Sequence, residues 1–260
     1  MRGRNPSARP RVLMIIPSRG RPQAALDAAR SALETRGRTD TEVMIAIDGD
    51  SERYGAAYLD NAGAPTWELQ NATLRFQEEH RGMVATLNAE AVRVAKVFTH
   101  IGFMGDDHRI LTPGWDTELA GSAGPVGIAY GDDLNMGAKL PTAVVMSSTI
   151  IRTLGYMAPP ALDHLYVDDF WRELGARLGR LAYRDDIVIE HLHPTVGKSA
   201  WDEQYRRVNS YEQFARDEQA WATFRDRELP MVVHKIKRTF PELYGPAPRN
   251  TPSRAPRPIA

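Results

Sequence analysis

The sequence predicts an α/β domain with a mainly parallel central sheet flanked by helices, followed by a helical C-terminal extension. Three observations carry that expectation. Short apolar runs alternate with longer segments of helical composition from residue 11 to about residue 200, as in successive βα units. Several runs end directly on acidic or glycine-containing turns, as at Asp48-Gly49-Asp50, Gly105-Asp106-Asp107 and Gly131-Asp132-Asp133. Beyond residue 200 the chain turns polar and aromatic, with little strand character.

Composition narrows the class. A chain of 260 residues can bury a substantial core, and 33 basic residues balance 33 acidic ones. That neutrality gives no overall pull toward nucleic acid or a membrane surface. There is no cysteine, hence no disulfide and no thiolate chemistry. No apolar run approaches the roughly 20 residues that span a bilayer, and the basic N-terminus has no apolar signal-peptide core. A soluble, cytoplasmic protein is the expectation.

Residues 1–10 read as a flexible basic arm, residues 11–200 as the α/β domain, and residues 201–244 as the helical extension. Residues 245–260, rich in Pro and Arg, read as a disordered tail. Within the domain, Arg11 to Ile16 is a buried strand closed by Pro17, and Pro22 suits the first turn of a helix over Gln23 to Thr35. Glu42 to Ile47 forms a second strand. A short helix near Ala56 to Asn61, a strand over Thr73 to Gln77 and a helix from Met83 to about Phe98 follow. The run at His100-Ile101-Gly102 is the fourth strand. Val126 to Tyr130 and Thr142 to Met146 are further strands, and Ser147 or Ser148 can cap a short helix. Asp163 to Leu178 has helical spacing at Phe170, Leu174 and Leu178, and Ile187 to His193 alternates like a half-buried strand.

The chemistry concentrates at Asp106-Asp107-His108, just past the fourth strand. Ligands of open α/β sheets bind outside the carboxyl ends of the strands. Hard cations take carboxylate oxygens together with substrate phosphates. The stretch therefore reads as a place to hold a metal that holds a diphosphate, with an acidic turn as the plain alternative.

An ordered set of further motifs surrounds it. Ile16-Pro17-Ser18-Arg19-Gly20-Arg21-Pro22 follows the first strand, Asp48 the second, and Arg81-Gly82 precedes a helix containing Asn88. Gly105-Asp106-Asp107-His108, Pro113-Gly114-Trp115, Val167-Asp168-Asp169-Phe170-Trp171 and Glu190-His191-Leu192-His193-Pro194 come next. Over residues 11–200 this order resembles the nucleotide-sugar-dependent glycosyltransferases of the GT-A fold, especially the family 2-like group. The resemblance implies a sugar transfer from a nucleotide-diphosphate sugar to an acceptor hydroxyl, with Mn²⁺ or Mg²⁺ as cofactor. It implies that Pro17, Ser18, Arg19, Arg21, Asp48, Arg81 and Asn88 lie at the nucleotide sugar, with Asp106 as a ribose or supporting partner. Asp107 becomes the direct metal ligand, although the family's commoner second aspartate, two residues earlier, is Gly105 here. A late histidine returns to the metal in several such enzymes, so His191 or His193 is a ligand, with His193, beside Pro194, preferred. His108 is a minor candidate.

The same resemblance makes the Asp168-Asp169 pair the site of the catalytic base, with Asp169 ahead of Asp168, and implies inversion at the anomeric carbon. Trp115 and Asp163 are acceptor-side candidates. The extension matches nothing in the family pattern and is expected to cover the acceptor side or to make a homodimer contact.

Rival readings differ in class. A sugar-nucleotide pyrophosphorylase needs a basic Gly-rich loop after the first strand, and a phosphohydrolase with an Asp nucleophile needs its acids there; this chain has neither. A non-enzymatic nucleic-acid binder would use the basic arm and Arg-containing tail. A glycosyltransferase acting on a hydroxylated DNA base or a protein surface is a further possibility.

Overall fold

The computed structural model describes residues 9–60, 66, 69–198 and 201–245; the calls on residues 1–8 and 246–260 lie outside them. Eight strands form one sheet in the order β3-β2-β1-β4-β7-β6-β8-β5. The first half has the predicted order of elements, with the second helix earlier than the expected Ala56–Asn61, at Ser51–Tyr58, and the third ending at Val94 rather than Phe98. β1 (Val12–Ser18), β2 (Glu42–Asp48), β3 (Ala72–Gln77) and β4 (His100–Phe103) run parallel, joined by helices α1 (Pro22–Glu34), α2 (Ser51–Tyr58) and α3 (Met83–Val94). β1 and β4 are buried along their whole lengths, which explains why they read as unbroken apolar runs.

The second half departs from the mainly parallel expectation. β7 (Val144–Ser147) inserts antiparallel between β4 and β6 (Ile128–Asp132). β8 (Leu181–His191) is parallel to β6, and β5 (His108–Ile110) pairs antiparallel with β8. The sheet is therefore mixed. A short buried apolar run such as Val144-Val145-Met146 looks alike in either direction, so composition does not reveal the reversal. Strand β5 has only three residues and carries no legible period.

Helices cover both faces. α1, α2 and α4 (Trp115–Ala123) pack on one side with Met14, Ile16 and Val145. On the other, α3, α5 (Ser148–Leu154) and α6 (Val167–Leu178) enclose Leu13, Ile15, Val144 and Met146. Ser147 caps α5, its Oγ accepting the Thr149 N–H at 3.3 Å. The extension comprises α7 (Glu203–Val208), α8 (Tyr211–Arg227), α9 (Leu229–Thr239) and α10 (Pro241–Tyr244). It is no loose appendage: Trp221, Phe224, Leu229 and Ile236 are buried in the same core as α3 and α6. Each such side chain contributes about 1.5–3 kcal/mol of burial.

Two details of this framework position the site. The carboxyl ends of β1, β2 and β4 open on the same side, bringing Ser18, Asp48 and the 104–107 turn together. The antiparallel register of β5 and β8 sets His108 directly opposite His191.

Candidate active site

A cavity of about 570 Å³ opens at those strand ends. Of the residues singled out in the sequence, Pro17, Ser18, Arg19, Arg21, Asp48, Asp106, Asp107, Asp163, Asp168, Asp169, His191 and His193 all line it. Three do not. Trp115 is fully buried beneath α1, its indole N–H donating to the Ala32 carbonyl at 3.1 Å, and is core rather than acceptor surface. Asn88 spends its amide on the 157–158 backbone, accepting from Met157 and Ala158 and donating to the Ala158 carbonyl. Arg81 has an exposed side chain outside the cavity; only its backbone N–H reaches inward, to Asp48 at 2.7 Å.

At the centre stand Asp107, His108 and His191, whose potential ligand atoms lie within 4.8 Å of one another. His108 Nδ1 is 2.9 Å from Asp107 Oδ1, His191 Nε2 is 3.4 Å from Asp107 Oδ2, and the two imidazoles stack with centroids 4.1 Å apart. His108 Nε2 and His191 Nδ1 are buried without a hydrogen-bond partner. Buried polar atoms are ordinarily satisfied. The nitrogens that face this carboxylate, His108 Nδ1 and His191 Nε2, make with Asp107 a compact donor set that fits a divalent cation; the orphaned atoms are the opposite nitrogens of the same rings. Burial and the neighbouring His191 lower the His108 pKa, keeping its ring neutral. Burial works against the Asp107 charge, but hydrogen bonds from both histidines outweigh it and hold the carboxyl well below its usual range. Neutral imidazole and ionised carboxylate are the forms a metal requires.

Gly105 belongs to this geometry. A Cβ on it would run into the Asp107 carboxylate and the His108 ring. A side chain there would push the Asp107 carboxylate and the His108 ring out of their present contact, and the histidines of β5 and β8 stand beside Asp107 instead. His193, the preferred ligand of the sequence reading, sits one turn further on. The strand ends at His191, and His193 instead caps the Pro194–Val196 turn, its Nδ1 accepting the Thr195 N–H at 3.2 Å. Its ring remains on the cavity wall against Tyr205.

Beside the cation site, Asp106 is buried in a network. It accepts from the Ser18 hydroxyl at 2.5 Å and from the Arg21 guanidinium at 3.3 Å. Burial and the adjacent Asp107 push its carboxyl up to about 6. Asp48 accepts the backbone N–H groups of Arg81 and Gly82 and contacts His80 Nδ1 at 2.6 Å. Gly82 enters this turn with φ of 90°, and a Cβ there would strike the Asp163 carboxylate.

On the far side, Asp168 and Asp169 open α6 after Tyr166, itself in the left-handed conformation with φ of 64°. Asp169 is tied to Arg172 at 2.7 Å. Asp168 accepts the Asp169 N–H at 3.0 Å, and burial together with Asp169 raises its carboxyl to about 6.

The extension contributes residues that no motif announced. Asp202 forms a two-pronged pair with Arg21 at 2.6 and 2.5 Å, and the Tyr205 ring lies 3.9 Å beneath the same guanidinium. The Tyr205 hydroxyl donates to Asp107, and Arg207 reaches His80 Nε2 at 2.9 Å. Asp217, fully buried on α8, accepts the backbone N–H groups of Asp163, His164 and Leu165 at 2.7–3.0 Å and so fixes the turn that leads into α6.

This architecture recurs in solved structures. A mannosyltransferase of Pyrobaculum calidifontis, crystallised with GDP-Man and Mn²⁺, aligns over 92% of this chain and 81% of its own at a TM-score of 0.53 and 14% identity. Glucosyl-3-phosphoglycerate synthase of Mycobacterium tuberculosis, with Mn²⁺, UDP and phosphoglyceric acid, aligns over 81% and 78% at 0.53 and 12%. TarS 1-349 of S. aureus, with UDP-GlcNAc, aligns over 90% and 78% at 0.51 and 13%. No family model matches the sequence, and no curated protein matches it. The chain has the GT-A fold of nucleotide-sugar glycosyltransferases. Among the described residues, no helix is long and apolar enough to cross a membrane.

Proposed function

We propose that the protein is a metal-dependent, inverting glycosyltransferase that moves a sugar from a nucleotide-diphosphate sugar to an acceptor hydroxyl. The observation that carries this reading is the compact Asp107-His108-His191 cluster at the carboxyl end of a GT-A sheet. When bound there, the cation supplies Lewis-acid neutralisation of the departing diphosphate. A donor set with two imidazoles favours Mn²⁺ over Mg²⁺, which prefers oxygen.

This chain's residues do the rest. Ser18, Arg21 and Asp106 form one wall for the nucleotide, Asp48 with the 80–82 turn the other. Burial opposes the Arg21 charge, yet Asp202 and Asp106 more than offset it and raise its pKa, so the guanidinium stays cationic for phosphate. Asp168 is the base we assign, ahead of Asp169, because Arg172 pairs with Asp169, whereas Asp168 is in no ion pair among the described residues and burial raises its carboxyl to about 6. The acceptor O–H gives its proton to Asp168 as its oxygen bonds to the anomeric carbon. The bond from that carbon to the diphosphate oxygen breaks, and its electron pair leaves with the diphosphate. A carboxylate near pKa 6 is ionised at neutral pH yet still basic enough to take a proton.

The test is incubation with a panel of UDP-, GDP- and other nucleotide sugars, following release of nucleoside diphosphate. Release with one nucleotide, supported by Mn²⁺ and abolished by EDTA, is expected. A folded protein that releases none with any donor refutes the proposal.

A further inference from the structure

We propose that the cavity half between the start of α6 and α8 is an acceptor subsite for a neutral saccharide, an inference that rests on the glycosyl-transfer reading. The charges of the cavity are segregated. Among the described residues that line it, the cations are Arg19, Arg21 and Arg207, and all belong to the nucleotide half. Arg21 pairs with Asp202 and Asp106, and Arg207 contacts the His80 ring. The other half presents the carboxylates Asp163, Asp168 and Asp169; Asp163 and Asp169 are paired from behind with Arg216 at 3.9 Å and Arg172 at 2.7 Å, neither of which lines the cavity. A phosphorylated or carboxylated acceptor would meet carboxylate oxygens there and no lining cation, with Asp168 in no ion pair among the described residues. Carboxylates are instead acceptors for sugar hydroxyls.

The same half carries an aromatic platform. Tyr166 and Phe214 meet with ring centroids 5.7 Å apart at 60°, and Phe214 is 48% exposed on the cavity wall. An exposed aromatic face beside hydroxyl-accepting carboxylates matches a pyranose, which has an apolar C–H face and a polar rim. The platform is fixed relative to the base. Phe214 lies in the first turn of α8, which Ser210 caps, and Asp217 on that helix holds the 163–165 turn that leads into Tyr166 and Asp168. The extension thus supplies half of the acceptor site.

The experiment measures nucleoside diphosphate release from whichever donor the protein hydrolyses slowly in water, with candidate acceptors added. Methyl mannoside, maltose and cellobiose serve as neutral acceptors, 3-phosphoglycerate and glucuronate as anionic ones. At least one neutral saccharide should raise release about tenfold or more, and the anionic compounds should not. F214A should cut that stimulation by about tenfold, the scale of one lost stacking contact, and F214Y should restore it. The nucleotide-dependent rise in melting temperature of each variant reports that it is folded. Stimulation by the anionic compounds overturns the proposal. So does stimulation that F214A leaves intact, or none by any neutral saccharide while the donor is hydrolysed. If no nucleotide binds at all, the donor site fails first, and that result is distinct from the others.

Discussion

Replacing Asp168 with Asn should make the protein more stable and nearly inactive. The carboxyl rises from its ordinary 3.8 to about 6 through burial and the neighbouring Asp169. Between those values the native state keeps a proton that the unfolded chain has lost, so stability falls as pH rises through about 4 to 6. Above pH 6 the ionised group carries the whole penalty, about 3 kcal/mol at 1.36 kcal/mol per pH unit. Partial exposure of the group screens some of it, leaving about 1–2 kcal/mol. Asn keeps an oxygen for the Asp169 N–H and removes the charge. At pH 7.5 D168N should melt roughly 2–8 °C higher. Its kcat should fall by about 10²–10⁴, the usual share of a general base. The wild-type pH profile of kcat/KM should rise through about 6, and D168N should lose that limb. Calorimetry and a diphosphate-release assay measure both quantities. A D168N enzyme with wild-type kcat, or one that keeps the acid limb while D169N loses it, refutes the assignment.

The other predictions concern the cation, the turn and the core. H191A should weaken Mn²⁺ binding at least tenfold by titration calorimetry and H193A much less, since only His191 shares a cluster with Asp107 and His108. Y205F removes a hydroxyl that donates to Asp107 and should tighten Mn²⁺ binding severalfold in the same assay. D217N turns an amide NH₂ toward backbone N–H donors; it should cost about 1–3 kcal/mol in chemical denaturation and raise the acceptor KM more than the donor KM. W115A should cost about 3–5 kcal/mol, whereas W115F should leave kcat near wild type, because Trp115 is core.

How much of this was legible depends on the range of the contacts. β1, β2 and β4 announce themselves because each is a local apolar run buried on both faces, whereas β3 is a half-exposed edge strand read from its bounds and alternation. The reversal at β7 is a matter of pairing between distant strands, and no local pattern records it. Asp107 was readable as an acid pair beside a strand end. The structure groups His191 rather than His193 with Asp107 and His108, because β8 ends at His191 and the backbone turns there, bonding His193 N–H to the His191 carbonyl at 2.9 Å. His108 gained weight only through the antiparallel register that sets it against His191. Asp169 stood ahead of Asp168 in sequence; the structure adds that Arg172, one helical turn on, pairs with Asp169, while burial raises the Asp168 carboxyl to about 6. Asp217 was invisible for a similar reason. It lies more than 50 residues from the turn it holds, and an aspartate within a polar helix reads as a solvated face.

The central claim is that Asp107 anchors a cation that anchors a nucleotide diphosphate. It is tested most directly by thermal stability with UDP, GDP and other nucleoside diphosphates, each with and without Mn²⁺, in wild type and D107A. A ligand at 100 times its Kd stabilises the native state by about 2.7 kcal/mol, or roughly 5–10 °C for a chain of this size. The account predicts such a rise with one nucleotide, dependent on Mn²⁺ and absent in D107A. No rise with any nucleotide, or an equal rise in folded D107A, would contradict it.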